Sequence, residues 1–522
     1  MPRPKVSVTD GSGPRLLAAR AKTIEPDGMA PSDAHSRGGW AAMLKEIEIG
    51  YIRSFSEPQT LSLTIPDGKR GSGYNVVVGK NNSGKSTLIK LLRDLISQNS
   101  NLTIGQEARH DPNRPHLVVR WSTKSGLEVL SFDMTETGGL FKKTGSFGLV
   151  EPKFRYIPSR RPFTSEFNAM SSMAPVDYDR NDFFNRRSNL TYYDSMLSTV
   201  LAPMLLDADK KEHLIELLRH IDPRVRALDA DNVGGKDVIR FQSAAGRWHP
   251  ISDTGDGIVN SIRIVHTIMT SEPDSCVVID EPELSLHPQI QRNLYNVLID
   301  FSKSRQIVVV SHSPHFVAWK DISESGKLFR VFLDETGFAQ VRSARREAFA
   351  TVRRFAESNI TNRKYFDAVC KELFFSDEAV LVEGPDDVHY ISNYLEFEGR
   401  EGLPLMGYGC GGAESIRSWL RLCLELGIKS AALYDGDKWS EFDNALDEFS
   451  ADTLRVTSFI LKRSDIRDKY KRDNLGKETT EIEKRGIFHR NGTIHEDARG
   501  EFELLIESMR SYFRSPQIEF FI

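Results

Sequence analysis

Hydrophobic and polar positions along the chain change period several times, and each change predicts an element. In LKEIEIGYIRSF (from Leu44) and LSLTI (from Leu61), apolar residues alternate with polar ones. A two-residue period puts one face on a core and the other in water, so these read as antiparallel strands. HLVVRW and LEVLSFDM look like further strands of the same lobe. Val76 to Val78, Cys276 to Ile279 and Ile307 to Val310 are instead apolar without alternation, as strands buried on both faces require. Leu88, Leu91, Leu92 and Leu95 recur at helical spacing. FRYIPSRRPF is a strand that places Arg160 and Arg161 just beyond its end. From about 164 to 235 the texture changes, with helices expected over Tyr192 to Leu206 and Lys210 to His220. That segment is too short for an extended coiled coil. VIRFQ is strand-like, and HPISDTGDGIVNSIRIVHTIM is a glycine-bearing loop followed by a helix.

A second alternating series begins at Ser376, after a basic, helical stretch from about 341 to 375 that bridges the two. Arg345, Arg346, Arg353 and Arg354 read there as a solvated helix face. Ala379 to Val382 is a strand, followed by a helix through Tyr394; PLMGYG is a strand and GGAESIRSWLRLCLELG a helix. SAALYDGD and RVTSFIL supply two more strands. Strands alternating with helices give a parallel sheet with ligands at its carboxyl edge. Both halves are α/β.

The chemistry collects where these strands end. After Val78, GKNNSGKS has the spacing of a phosphate loop. Gly79 and Gly84 allow backbone angles and close approach that a Cβ would block. Successive N–H groups, from Asn82 through Thr87, and the helix N-terminus cradle phosphates. Lys85 adds a point charge and Ser86 a hydroxyl for Mg²⁺. The chain therefore binds a nucleoside triphosphate, ATP. Asp280 and Glu281 stand at the end of a buried strand, where one carboxylate holds Mg²⁺ through water and the next polarises the attacking water. The strand Ile307 to Val310 delivers His312 to the same edge as a γ-phosphate sensor.

The order phosphate loop, insertion, SDTGDG, VVIDEPELSLHP, VVVSHSP resembles the ABC-type ATPase heads, over roughly Leu44 to Gln340. The resemblance implies that Ser252, Gly255 and Gly257 act as a signature loop on nucleotide held by a second subunit. ISDTGDG departs there from the usual Leu-Ser-Gly-Gly pattern.

In the second half, Glu383 with Asp387 and Asp435 with Asp437 all sit at strand ends. Four hard oxygen donors without histidine or cysteine suit Mg²⁺ or Mn²⁺. Together they resemble the Toprim domain, whose LVEG…D and DxD motifs bind catalytic metals. Lys462 and Arg463 then correspond to the basic residues after the last strand, with Lys462 as a catalytic cation. One position departs: an Ile-Glu pair is often found in such domains, whereas Ile466 precedes Arg467 here. The third carboxylate is then missing, or supplied by Asp465 or Asp468.

An ABC-type P-loop ATPase with a helical insertion, followed by a Rossmann-like Toprim domain, resembles the OLD (overcoming lysogenization defect) nucleases. The expected division is a disordered leader at 1–42, an ATPase at 43–345 with its insertion at about 164–235, a helical linker at 346–375, and Toprim with a tail at 376–522. The resemblance implies an ATP-regulated, metal-dependent DNA endonuclease in bacterial antiphage defence, working as a homodimer or larger assembly, alone or with a partner protein. The alternative is an ATP-dependent sensor or scaffold with a degenerate Toprim module, for which Arg467 speaks.

Composition narrows this picture modestly. At 522 residues the chain has room for two to four domains. A net charge of −4 leaves DNA binding to a local patch, and Lys462 to Lys477 is the best candidate. The four cysteines, Cys276, Cys370, Cys410 and Cys423, lie in apolar segments as reduced thiols. No apolar run approaches the ~18 residues that span a bilayer, so a cytoplasmic protein is expected, without membrane contact.

Overall fold

In the computed structural model, the described residues are 43–89, 101–103, 116–123, 126–134, 140–144, 153–159, 201–233, 236–251, 254–358, 369–473 and 476–514. The expected leader, Arg160, Arg161, Ser252 and the whole of 164–200, with most of the helix expected over Tyr192 to Leu206, lie outside them. Five parallel strands build the sheet of the first half, in the order Lys327–Leu333, Tyr74–Val78, Gln306–Val310, Cys276–Asp280 and Phe154–Ile157. Ala339–Arg342 adds an antiparallel edge. Its three central strands are buried along their whole length because both faces are covered. Val76, Val78, Val277, Ile279, Ile307 and Val309 belong to one core. The intervening Val77, Val278, Val308 and Val310 belong to another, with Leu44, Ile47 and Trp121. The helices Ala208–Ile221, Asp256–Thr270 and Pro288–Phe301 contribute to the first core.

The second core lies beneath an antiparallel sheet in which Met43–Gly50 pairs with both Gln59–Ser62 and His116–Thr123. Gly126–Met134 continues it, as the alternating pattern predicts. The segment expected to be a helical insertion ends differently. Ala227–Val233, Lys236–Gln242 and Trp248–Pro250 form a small antiparallel sheet, of which only the middle strand is legible in the sequence.

In the second half, Glu378–Leu381, Lys429–Tyr434 and Val456–Ile460 are parallel neighbours in that order. The helix Glu496–Arg514 packs through Phe502, Ile506 and Met509 against Val380, Val382 and Leu433. PLMGYG does not form a strand: Leu405 makes a single bridge to Val380. Gly409, at φ +70°, packs so closely on Gly384 that a Cβ would lie 2.6 Å from its Cα. The loop spends its N–H groups on the neighbouring motif instead, from Cys410 to the Val382 carbonyl and from Gly411 and Gly412 to that of Glu383.

Gly39–Ile522 forms one unit, and its two halves share a core. Trp319 meets Trp419 edge to face with centroids 5.6 Å apart, and Phe374 at 5.0 Å. Arg330, wholly buried, crosses this seam to the carbonyls of Ser376, Leu426 and Gly427 and to Asp377. The basic helix Arg346–Ser358 docks through Phe349 and Val352, while Arg345, Arg346 and Arg354 stay exposed as expected and Arg353 is half-buried. Arg345 holds Glu425 at 2.5 Å, Arg353 holds Glu324 at 2.8 Å, and Arg346 donates to the Ser325 carbonyl.

Candidate functional site

The phosphate loop leaves its strand at Gly79, where φ is +148° and a Cβ would sit 2.0 Å from the Val331 carbonyl oxygen. No other residue fits. Asn82 and Gly84 also take positive φ, which turns the loop back on itself before the helix that opens at Lys85. Leu91, Leu92 and Leu95 of that helix lie outside the described residues. The Lys85 ammonium donates to the carbonyls of Gly79 at 2.9 Å and Lys80 at 2.5 Å. Burial pushes Lys85 down to about 8, opposed by Glu281, Asp280 and Glu283. Ser86 is exposed at the helix start, with Thr87 buried behind it.

Asp280 ends the neighbouring strand but one, nearly buried. Glu281 follows in the left-handed region at φ +47°, pinned by its N–H to the Val310 carbonyl at 2.8 Å. Backbone strain of that kind is kept where surrounding structure demands it. His312 Nε2 lies 3.7 Å from Glu281 Oε1. Burial and the Lys85 charge push His312 down to about 4, so its imidazole is neutral at physiological pH. Glu283 escapes sequence reasoning. Its carboxylate accepts from the His312 N–H at 2.5 Å and the Ser311 hydroxyl at 2.9 Å, fixing the loop that carries the histidine. Burial raises Glu283, which these donors oppose.

Of the signature-like loop, Gly257 packs against the strand-end turn, since a Cβ would meet the Ser285 carbonyl at 2.5 Å. Gly255 is the N-cap of the helix Asp256–Thr270, exposed, with nothing near its Cα and no side-chain cap on the first turn.

The second centre lies at the carboxyl edge of the other parallel sheet. Leu381 pairs with Ala432, so Glu383 and Asp435 leave adjacent strands side by side. The Asp435 N–H donates to Glu383 Oε1 at 3.0 Å. Asp387 reaches back to the Gly384 N–H at 2.7 Å, capping the helix Pro385–Phe397. Asp465, buried on the strand Asp465–Arg467, joins them, paired with Lys469 and with no directed hydrogen bond to its Oδ2. Burial and the charges of Asp387, Glu383 and Asp465 raise Asp435 to about 9. Burial and the neighbouring carboxylates raise Asp387 to about 7, and burial raises Glu383 as well. Asp437 is different: burial would raise it, but Lys484 and Lys438 outweigh that and hold it below its usual range. Buried hard-oxygen carboxylates converging from adjacent strand ends, each raising the cost of ionising its neighbours, fit a divalent cation.

Two expectations change here, and one that was left open is narrowed. Lys462 does not enter the cluster; its side chain is 73% exposed and holds Glu501 at 2.8 Å. Lys469 is the cation beside the carboxylates. Arg467 does not replace the third carboxylate either, for it turns onto Asp386 at 2.8 Å while Asp465 fills the place. The segment from Lys462 is a strand and a hairpin of Lys469–Arg472 with Glu478–Lys484, not a helix face. Lys462, Arg463, Arg467, Lys469 and Lys471 each hold a carboxylate, which weakens that segment as a free phosphate-binding patch.

Two protein families match the chain. One, "AAA domain, putative AbiEii toxin, Type IV TA system", covers residues 148–318. The other, "Overcoming lysogenization defect protein-like, TOPRIM domain", covers 374–437 and so takes in Glu383, Asp387, Asp435 and Asp437. An AAA-type ATPase domain followed by an OLD-like Toprim domain is similar in arrangement to the OLD nucleases. It is 31% identical over 181 residues to the OLD nuclease of Thermus scotoductus, which covers 33% of this chain and 32% of that protein. Structural maintenance of chromosomes protein 3 of Dictyostelium discoideum is 23% identical over 215 residues, 36% of this chain and 14% of that one. The chain thus aligns with a third or less of the length of either relative. Among solved structures, the SMC head domain from Thermotoga maritima covers 58% of this chain and 99% of its own, at 14% identity and a TM-score of 0.35. An SmcHead bound to the C-winged helix domain of ScpA reaches a TM-score of 0.39 at 11% identity, covering 58% of this chain and 98% of its own. Among the described residues, no helix of this OLD-like chain is long and apolar enough to cross a membrane.

Proposed function

We propose that the protein is an ATP-regulated, divalent-metal-dependent DNA endonuclease, cytoplasmic and acting in bacterial antiphage defence. The observation that carries this reading is the cluster of Glu383, Asp387, Asp435 and Asp465, where burial first, and the neighbouring carboxylates after it, raise Asp435 to about 9 and Asp387 to about 7 and push Glu383 up, a strain that a bound cation would relieve. Hard oxygen donors favour Mg²⁺, or Mn²⁺, over softer ions. When bound there, the metal supplies an activated water and a Lewis acid for the departing oxygen of a phosphodiester. Asp437, ion-paired with Lys484, stands at the rim as an outer ligand. Lys469, beside Asp465, offers a charge for the scissile phosphate.

In the head, Gly79, Asn82, Gly84 and Thr87 shape the cradle for ATP. Lys85 exchanges its loop carbonyls for phosphate oxygens, and Ser86 and Asp280 hold Mg²⁺. Glu281 takes the proton of the attacking water while neutral His312 senses the γ-phosphate. The uncapped helix start at Gly255 supports a role for Ser252, Gly255 and Gly257 on the nucleotide of a second subunit, in a homodimer joined through its heads. ATP-bound closure restrains the nuclease, and hydrolysis or nucleotide loss releases it. Such coupling requires ATP to favour one arrangement over the other. The scaffold alternative loses its chief support, since Arg467 lies on Asp386.

The test is to incubate pure protein with supercoiled and linear DNA in Mg²⁺ or Mn²⁺ across an ATP titration. Metal-dependent nicking that Asp435→Ala abolishes, and that declines as ATP saturates, is the expected result. Equal nicking by Asp435→Ala and wild type would overturn the site. A flat ATP response in both wild type and Glu281→Gln would overturn the regulation alone.

A further inference from the structure

Starting three residues on from Asp465, three metal-ligating side chains converge that the nuclease reading does not use. Asp468, His489 and His495 each bring one ligand atom within 4.8 Å of the other two. We propose that they form a separate binding site for Zn²⁺, or a similar borderline transition-metal ion, with water at the open position.

The geometry is that of a site awaiting an ion. His495 Nε2 lies 3.1 Å from both Asp468 oxygens, and His489 Nδ1 lies 3.4 Å from Oδ2. Zinc bonds of 2.0–2.1 Å at tetrahedral angles place neighbouring donor atoms about 3.4 Å apart. A hydrogen-bonded pair accounts for His495 alone. It does not account for His489, whose distance exceeds the usual N–H···O range and whose ring lies against that of His495, with centroids 3.5 Å apart and planes tilted by 45°. Two imidazoles converging on one carboxylate select zinc over magnesium.

The scaffold around the three residues is rigid. His489 and Thr493 close a tight turn, with the His489 N–H on the Thr493 carbonyl and Gly492 at φ +91°. A bridge between Phe488 and Ile494 and the bond from the His495 N–H to the Ile487 carbonyl hold both histidines on one side of that turn. Asp468 is fully buried, and its Oδ1 accepts from the Gly486 N–H at 2.9 Å, which aims Oδ2 at the histidines. Gly486 permits this because a Cβ there would lie 2.1 Å from the Arg467 carbonyl carbon. Oriented ligands of this kind are what a metal site needs from its surroundings. His489 is half exposed and supplies the entry path.

The three ligands come from pieces that matter elsewhere. Asp468 follows the strand that carries Asp465, and His495 directly precedes the helix Glu496–Arg514 that covers the second sheet. Zinc would clip that helix and strand together without touching the Mg²⁺ cluster.

The experiment uses the full chain stripped with chelator and titrated with Zn²⁺ against a chromophoric competitor, with Co²⁺ absorption as a reporter of imidazole ligation. One tight equivalent per chain is expected, retained in Asp435→Ala and accompanied by a rise in Tm. His489→Ala sits at an exposed position and should fold. It should weaken binding by more than the ~10–100-fold that losing a supporting outer group costs. His495→Gln should do the same. No tight equivalent in the wild type would overturn the site. So would an affinity unchanged in both histidine variants, or one lost only in Asp435→Ala.

Discussion

Replacing Arg330 by methionine should test what holds the ATPase head to the Toprim half. The guanidinium is 1% exposed and donates to Leu426 O at 3.2 Å, Gly427 O at 3.3 Å, Ser376 O at 2.5 Å and Asp377 Oδ1 at 2.6 Å. Two accounts of its contribution give different numbers. If the ion pair dominates, Asp377→Asn should cost as much as Arg330→Met, about 3–5 kcal/mol for a broken buried pair. Yet the Asp377 side chain is 41% exposed and keeps Lys80 at 2.6 Å, so its own term should fall to ~1 kcal/mol or less. The three carbonyls are the larger matter. Each loses its donor in Arg330→Met, at about 1–3 kcal/mol where water cannot replace it. Partial offset comes from Nε, which is buried without a hydrogen-bond partner and vanishes in the variant. We therefore expect ~3–5 kcal/mol for Arg330→Met and ~1 kcal/mol for Asp377→Asn. Against a total of roughly 5–15 kcal/mol, the first variant should fold but melt early. Urea unfolding followed by circular dichroism and tryptophan fluorescence measures both, since Trp319 and Trp419 lie in the seam. Equal losses in the two variants, or a loss under ~1 kcal/mol for Arg330→Met, would refute this reasoning.

Glu281→Gln should bind ATP, suppress turnover and accumulate an ATP-bound dimer by light scattering; hydrolysis at the wild-type rate would remove Glu281 as the base. Asp435→Ala should lower DNA nicking by orders of magnitude. Lys469→Ala should lower it more than Lys462→Ala, which ends an exposed pair with Glu501 and should leave nicking near wild type. Metal-free protein should also lose stability as pH rises. The folded state keeps protons on Asp387 up to about 7 and on Asp435 up to about 9, against an ordinary value of 3.8. Their contribution is complete below the unfolded value and is lost as pH climbs through 7 and then 9. Thermal melts across that window, with and without Mg²⁺, should show the loss and its reversal by metal; a melting temperature independent of pH in metal-free protein would contradict it.

The parts of the molecule that were legible in the sequence are those whose partners are neighbours in the chain. A phosphate loop needs its own glycines and the strand before it, and a carboxylate at a strand end needs only that strand. The strand register then brings Glu383 and Asp435 together without further instruction. Misreadings arose wherever a residue answers to something far away. PLMGYG has a strand's composition, but its glycines are there to let Gly409 lie on Gly384. The run from Lys462 looks basic because its carboxylate partners, Asp386, Asp497 and Glu501, are distant in sequence. At Arg467 the sequence left three outcomes open, a missing carboxylate or one from Asp465 or Asp468, and only the fold places Asp465 beside Asp435.

The least legible residue is the one that bears most on communication between the centres. Nothing in FFSDEAV marks Asp377, which sits just before the strand leading to Glu383. It takes Arg330 from the strand beside the phosphate-loop strand and Lys80 from the loop itself. Lys80 also gives its carbonyl to Lys85, so the nucleotide lysine and the Toprim strand are two contacts apart. When Lys85 exchanges that carbonyl for a phosphate, Lys80 loses a restraint on one side while keeping Asp377 on the other. If ATP regulates the nuclease as proposed, Asp377, held by Arg330 and Lys80 alike, is the contact through which a change at the γ-phosphate would reach the base of the strand leading to Glu383.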